Sequence, residues 1–160
     1  MRNQNSILNR NHDQIEALIE SKNVSIAQLI LILENVNSIE LKHKTALRLH
    51  DIGDLSALSA LVKEIQKDDN KNYRGTLVYS CGAFDCSEYL DFFINLIIND
   101  STEVAMTAVL IIEEMERLKK DQITKELDRL DKILDQQKEN HNKEFLEEVI
   151  QILRNKLDDF

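Results

Sequence analysis

Eight carboxylates stand between Arg74 and Arg117 with no basic residue among them: Asp85, Glu88, Asp91, Asp100, Glu103, Glu113, Glu114 and Glu116. Acids in such density can serve as general acid and base, or present a one-signed field to a cationic partner. The first use needs a pocket that desolvates them, and this sequence sets its acids on exposed helix faces and turns. Cys81 and Cys86 form a C-x4-C pair across a turn, with no third cysteine or histidine close by. A structural zinc site takes four ligands, so the pair reads as two buried small residues, with a redox pair as the lesser alternative. His43 and His50 are seven residues apart on one helix, too distant to share one ion. H-E-x-x-H, G-x-G-x-x-G and G-x-x-x-x-G-K-[ST] are all missing from the sequence. We therefore expect no catalytic residue, no metal ligand and no cofactor, and we read the acids as a binding surface.

The balance of charge sharpens that reading. The formal net charge is −9, but residues 1–80 hold ten bases and ten acids, whereas residues 81–160 hold ten bases and nineteen acids. An acidic half argues against nucleic acid as a ligand, because phosphate recognition needs a basic footprint. It favours a basic protein partner drawn in by electrostatic steering. The plainer alternative is an acidic surface that only confers solubility.

The elements that carry these residues are helical. Hydrophobic content is 42% and charged content 31%, proline is absent, and there are three glycines, Gly53, Gly75 and Gly82. With much Leu, Ile, Glu and Lys at helical spacing, the fold class is all-α, in one domain spanning 1–160. The polar start and the short apolar runs predict neither a signal peptide nor a membrane span. Two cysteines give no disulfide framework. The expectation is a cytoplasmic monomer.

In chain order, an Asn-rich, frayed start at 1–11 leads to a short helix over roughly 11–21. Ser25-Ile-Ala-Gln28 reads as a capping box opening a mostly apolar helix to 36. Asn37-Ser-Ile-Glu40 reads as a second box, opening a helix to Asp51 with Leu41, Thr45, Ala46, Leu47 and Leu49 inward. Gly53 can end that helix in the left-handed conformation and Asp54 can cap the next, over 55–67, with Leu55, Leu58, Leu61, Val62 and Ile65 on one face. A helix over 73–81 ends at Gly82. Asp85-Cys-Ser-Glu88 and Asp100-Ser-Thr-Glu103 read as further boxes, opening helices to Asn99 and to about Met115. Lys119–Leu134 and Phe145–Leu157 read as two longer amphipathic helices with charged outer faces.

Overlaying the segments reveals a period. Leu47 aligns with Leu77 at an offset of 30, Leu77 with Ala108 at 31, and Leu58 through Ile65 with Tyr89 through Leu96 at 31. A two-helix repeat of this length is the signature of an α-solenoid, in which each pair buries its apolar face only by stacking on the next. The units fall at about 38–69, 70–99 and 100–138, with 11–36 and 141–158 as terminal caps, for about nine helices in all.

The small or apolar pairs Ala46-Leu47, Thr76-Leu77 and Ala108-Val109, the Gly53-Asp54 turn and the Leu/Phe ladder of each second helix resemble HEAT-like repeats, especially the short kind found in phycobilin lyase-type proteins. The chain departs from that pattern in having no proline, and only Arg74 stands where the repeat arginine belongs, with Lys44 as its substitute. The resemblance covers about half the chain and implies a right-handed α-solenoid of helix pairs. The stretch from Asn72 to Asp100 resembles HEAT-like proteins encoded beside polymorphic or contact-dependent toxins, where such chains are immunity proteins that occlude a cognate toxin domain. That resemblance implies a basic toxin partner, such as a nuclease. A general HEAT-like scaffold or regulatory adaptor is the alternative. The glycosylase-like and lyase-like HEAT enzymes are the rival from another class, and the former need a basic, aromatic-lined cleft that this sequence lacks.

The candidate contact residues follow. Turns within stacked pairs share an edge, which lines up Asp51, Asp54, Asp85, Glu88, Glu113, Glu114 and Glu116 as an acidic ridge. Asp54, Asp85 and Glu88 have a capping role there. Asp51, Glu113, Glu114 and Glu116 sit near helix C-termini, where the macrodipole disfavours a negative charge by about 0.3–1 kcal/mol. The resemblance to HEAT-like repeats, whose second helices line the inner surface, implies Asp91, Phe92 and Asn95 as further contacts. For Phe92 the competing reading is an ordinary core residue.

Overall fold

The computed structural model describes residue 7 and residues 9–136 and 140–160. The expected frayed start falls mostly on residues 1–6 and 8, outside the described residues, as does the end of the third repeat unit at 137–138. Among the described residues the fold is all-α, with nine helices and no strand. They are α1 (His12–Glu20), α2 (Ile26–Asn35), α3 (Ile39–Ile52), α4 (Leu58–Gln66), α5 (Gly75–Cys81), α6 (Leu90–Asn99), α7 (Thr102–Glu113), α8 (Lys120–Gln136) and α9 (Lys143–Asp158). Single 3-10 turns at Leu55–Ala57, Asp68–Asn70 and Ser87–Tyr89 join some of them. No described helix is long and apolar enough to cross a membrane. The chain divides into two compact units, residues 1–84 and 85–160. The boundary coincides with the change in charge, because residues 81–84 carry none, so the whole −9 belongs to the second unit.

Helix starts follow local chemistry. Asn11 and Gln14 form a reciprocal capping box at α1, and Ser25 and Gln28 form another at α2, each satisfying two otherwise orphaned amides. Three other expected boxes resolve differently. Ser38, not Asn37, caps α3 by accepting from the Leu41 amide. Ser101, not Asp100, caps α7 through the Val104 amide. Asp85 accepts from the Ser87 amide at 3.0 Å and opens a 3-10 turn, so α6 starts only at Leu90. At α3 and α7 a serine hydroxyl one position later takes the i, i+3 cap, and at Asp85 a two-residue bond replaces it. Gly53 ends α3 at φ +67°, the left-handed conformation that other residues reach only at a cost.

In the first unit, α3 lies against both α1 and α5, while α2 lies against α3 and α4, and α4 against α5. Residues twenty-nine or thirty apart meet where α3 lies against α5 and the residues just before it. His43 Nε2 donates to the Tyr73 carbonyl at 2.9 Å, His50 Nδ1 bonds the Ser80 carbonyl at 3.3 Å, and the His50 ring stacks on Tyr79 at 5.1 Å. Leu29, Ile32, Leu33, Leu49, Leu61 and Ile65 are fully enclosed. Glu64 is enclosed with them at 0% exposure, and Lys42 meets it from α3 at 2.5 Å. Lys67 and Asn70 complete its partners from the turn after α4.

In the second unit, α6 packs on α7 and α9, α7 on α9, and α8 on α9. Phe93, Ile94, Ile97, Ala108, Ile112, Ile123, Leu130, Leu146 and Leu153 form its interior. Asn142, just before α9, donates to the carbonyls of Ile97 and Asp100 at 2.9 Å each, which ties α9 to the end of α6. Glu126 is buried on α8 and is held by Arg129 at 2.9 Å.

Two residues expected inside lie outside. Leu47 and Leu55 are 39% and 52% exposed. Leu47 sits one step past the buried Ala46, on the flank of the α3 stripe. Leu55 belongs to the 3-10 turn, which breaks the register of the expected helix 55–67.

Candidate functional site

The structure sorts the ten expected contact residues by what already engages them. Asp51 and Asp54 belong to the first unit and the other eight to the second. Asp51 is exposed in the last turn of α3. Asp54 caps the turn after it, and hydrogen bonds from the Ser56 hydroxyl and amide hold its carboxyl below the ordinary aspartate range. Asp54 thus caps the 3-10 turn at Leu55–Ala57 and not, as expected, the helix itself, which starts at Leu58 with no side-chain cap.

Asp85 is committed to the fold. Ser87 and the Arg117 guanidinium both bond its carboxylate, and the Arg117 amide donates to Ser87 Oγ at 2.9 Å. Gln122 adds a bond from Nε2 to the Ser87 carbonyl at 2.7 Å. Burial pushes the Asp85 carboxyl up, but the hydrogen bonds from Ser87 and Arg117 outweigh it and leave the pKa lowered. Arg117, which the sequence reading treated only as the boundary of an acidic run, therefore folds back to neutralise its first member. Glu88 stays exposed on the rim of a cavity of about 520 Å³ beside Arg117, Lys119 and Asp121, where acids and bases balance.

On α6, Asp91 is exposed and Phe92 is half-buried, set edge-on against Phe93 at 5.2 Å. Phe92 thus sits at the margin of the apolar stripe, between the two readings the sequence allowed. Asn95 Oδ1 is taken by Arg129, a long-range bond that helical periodicity could not foresee.

Glu113, Glu114 and Glu116 stand apart. Glu113 is the last residue of α7 and Glu114 its C-cap, so both lie at the negative end of the helix dipole. All three are exposed, and among the described residues no cation pairs with them at ion-pair distance. They rim a cavity of about 420 Å³ whose base is Met115, Leu118 and Ile123. Lys156 of α9 enters that cavity, but its ammonium donates to the Met115 carbonyl at 2.9 Å. It satisfies a helix-terminal acceptor and leaves the carboxylates unmatched. The sequence had flagged these three acids as misplaced for helix stability. It gave no sign of the cavity, which depends on α9 returning to the end of α7.

Cys81 and Cys86 are both buried, as expected. Burial, with a smaller contribution from the Asp85 charge, pushes the Cys86 thiol up to about 12. His43 and His50 serve as packing histidines through the carbonyl bonds above. Among the described residues one group has the composition of a metal site, His12, Asp13 and Glu16, which the sequence reading passed over. Lys44 already bridges Glu16 and Glu40 there.

No family model matches the chain, and no curated protein or solved structure matches it either.

Proposed function

We propose that this chain is a non-catalytic protein-binding module, a right-handed α-solenoid of HEAT-like helix pairs, and that it acts as an immunity protein. In this reading it binds a basic cognate toxin domain, such as a nuclease, and blocks it by occlusion in the cytoplasm. The solenoid reading is supported by the first unit, where residues of α3 bond residues thirty positions later, on α5 and just before it. The binding reading is carried by one observation: three exposed carboxylates at the C-terminal end of α7 that, among the described residues, form no ion pair. Carboxylates placed against the helix dipole cost stability, and a chain keeps such a cluster where an external cation compensates it. The polar groups that could suggest chemistry are occupied in holding elements together. Asp85, Ser87, Arg117 and Gln122 knit the turn before α6 to the start of α8, and Glu64 and Glu126 are locked in buried ion pairs.

The test is co-expression with the C-terminal domain encoded by the neighbouring gene. The reading predicts that this domain arrests growth alone, that the chain restores growth, and that the two purify as a one-to-one complex weakened by salt. The absence of both toxicity and a complex would refute immunity and leave an adaptor to be matched to its partner by unbiased capture.

A further inference from the structure

The cavity at the end of α7 has a composition that selects one kind of occupant. Its base is apolar and closed: Met115 is 2% exposed, Leu118 8% and Ile123 0%. One wall is the ring of Phe160, which at 64% exposure is the most exposed of the large hydrophobic side chains. The rim is acidic, with Glu113, Glu114, Glu116 and Asp159 set against the single ammonium of Lys156, four carboxylates to one cation. That ammonium is already bound to the Met115 carbonyl, so the cavity contains an example of a cation seated on its floor. A volume of about 420 Å³ is open to a further group.

Resting on the protein-binding reading above, we infer that this cavity receives an arginine side chain from the basic partner. The aliphatic stem covers Met115, Leu118 and the Phe160 ring, and the guanidinium lies among Glu113, Glu114 and Glu116. A guanidinium suits this site better than an ammonium. It is planar and weakly hydrated, it stacks on an aromatic face, and it carries five donors that can engage more than one carboxylate. A bare metal ion would leave the apolar floor and the exposed ring without a role. The other described cavities lack this bias. The one beside Arg117 sets Lys119 and Arg117 against Glu88 and Asp121. The open trough along α8 sets Lys125, Arg129 and Lys132 against Asp121 and Asp128. Arginine is enriched, with tryptophan and tyrosine, among interface hot spots, and truncating a hot-spot residue typically costs tenfold or more in affinity.

The test titrates the isotopically labelled full chain with N-acetyl-arginine methylamide, read by amide and aromatic NMR shifts. N-acetyl-citrulline methylamide has the same shape without the charge and is the control. The expected result is saturable millimolar binding, with shifts centred on Met115, Leu118 and Phe160 and at least tenfold weaker binding of citrulline. Glu113→Gln with Glu114→Gln should reduce arginine binding about tenfold, and Phe160→Ala should reduce it while leaving every carboxylate in place. Amide dispersion confirms that each variant is folded. Equal binding of citrulline, shifts spread over all acidic surfaces, or unchanged binding by both variants would overturn the assignment. Growth rescue by the chain with no arginine binding would remove this pocket and leave the immunity reading standing. Arginine binding without growth rescue would do the reverse.

Discussion

Glu64 offers the sharpest test of how the first unit is held together. Its side chain has no exposure, and its charge is met by Lys42 at 2.5 Å, itself only 11% exposed, and by the half-exposed Lys67. Replacing Glu64 by Gln keeps the shape and leaves the Lys42 ammonium buried without its counter-charge. Removing one partner of a buried pair typically costs about 3–5 kcal/mol. Lys67 can turn to solvent and Lys42 has a little access, so we expect the low end, about 3 kcal/mol. At about 2–4 °C per kcal/mol for a chain of this size, Tm should fall by about 6–12 °C. Pairing the change with Lys42→Met should recover most of the loss, because it removes the buried ammonium that Glu64→Gln leaves without a counter-charge. The pH dependence fixes the sign. Burial pushes the Glu64 carboxyl up, but hydrogen bonds from Lys42 and Lys67 outweigh it, so its folded pKa lies below the ordinary value. Its stabilisation is therefore present above the unfolded pKa of about 4.3 and is lost as pH falls through the folded value. Thermal melts followed by circular dichroism should show the gap between wild type and Glu64→Gln closing below about pH 4. A Gln variant within about 0.5 kcal/mol of wild type at neutral pH, or a gap that ignores pH, would refute the reasoning.

The remaining predictions concern single features. Gly53→Ala should cost about 1–2 kcal/mol in a denaturant melt, because φ is +67° while the added Cβ meets nothing closer than the His50 carbonyl at 4.0 Å, so the loss is conformational and not steric. Cys86 should resist thiol reagents at mildly alkaline pH and react at once in denaturant, since it is buried and its pKa is pushed to about 12. Glu113→Gln with Glu114→Gln should leave stability unchanged or raise it by about 0.3–1 kcal/mol, because both carboxylates oppose the α7 dipole. Destabilisation by that pair of changes would show that the acids serve the fold.

What the sequence makes legible is whatever depends on short separations. Helical period, the Ser25–Gln28 box, the Gly53 stop and the acids at the end of α7 all follow from neighbours within a turn or two. The bond of His43 to the Tyr73 carbonyl spans the thirty residues of the period, but nothing in the sequence singled out that pair. Competition between adjacent cap residues escaped it: Ser38 and Ser101 each displace an amide or carboxylate one position earlier. Long-range commitments escaped it as well. Arg117 reaches back thirty-two residues to Asp85, Arg129 reaches Asn95, and Lys156 returns to Met115 across forty-one. Each such bond changes the meaning of an acidic or amide residue without leaving a local mark. Burial of Glu64 and Glu126 is of the same kind, since nothing in a helical stripe distinguishes an enclosed carboxylate from a solvated one until its partner is placed.

The central claim is that the acids at the end of α7 exist for a basic protein partner. Calorimetric titration of the C-terminal domain encoded by the neighbouring gene, with wild type and with Glu113→Gln, Glu114→Gln, Glu116→Gln together, tests it most directly. The account predicts one-to-one binding whose affinity falls steeply with salt. It also predicts that the neutralised chain binds at least tenfold more weakly with a shallower salt dependence, while melting no lower than wild type. Equal affinity and equal salt dependence for the two chains would contradict it.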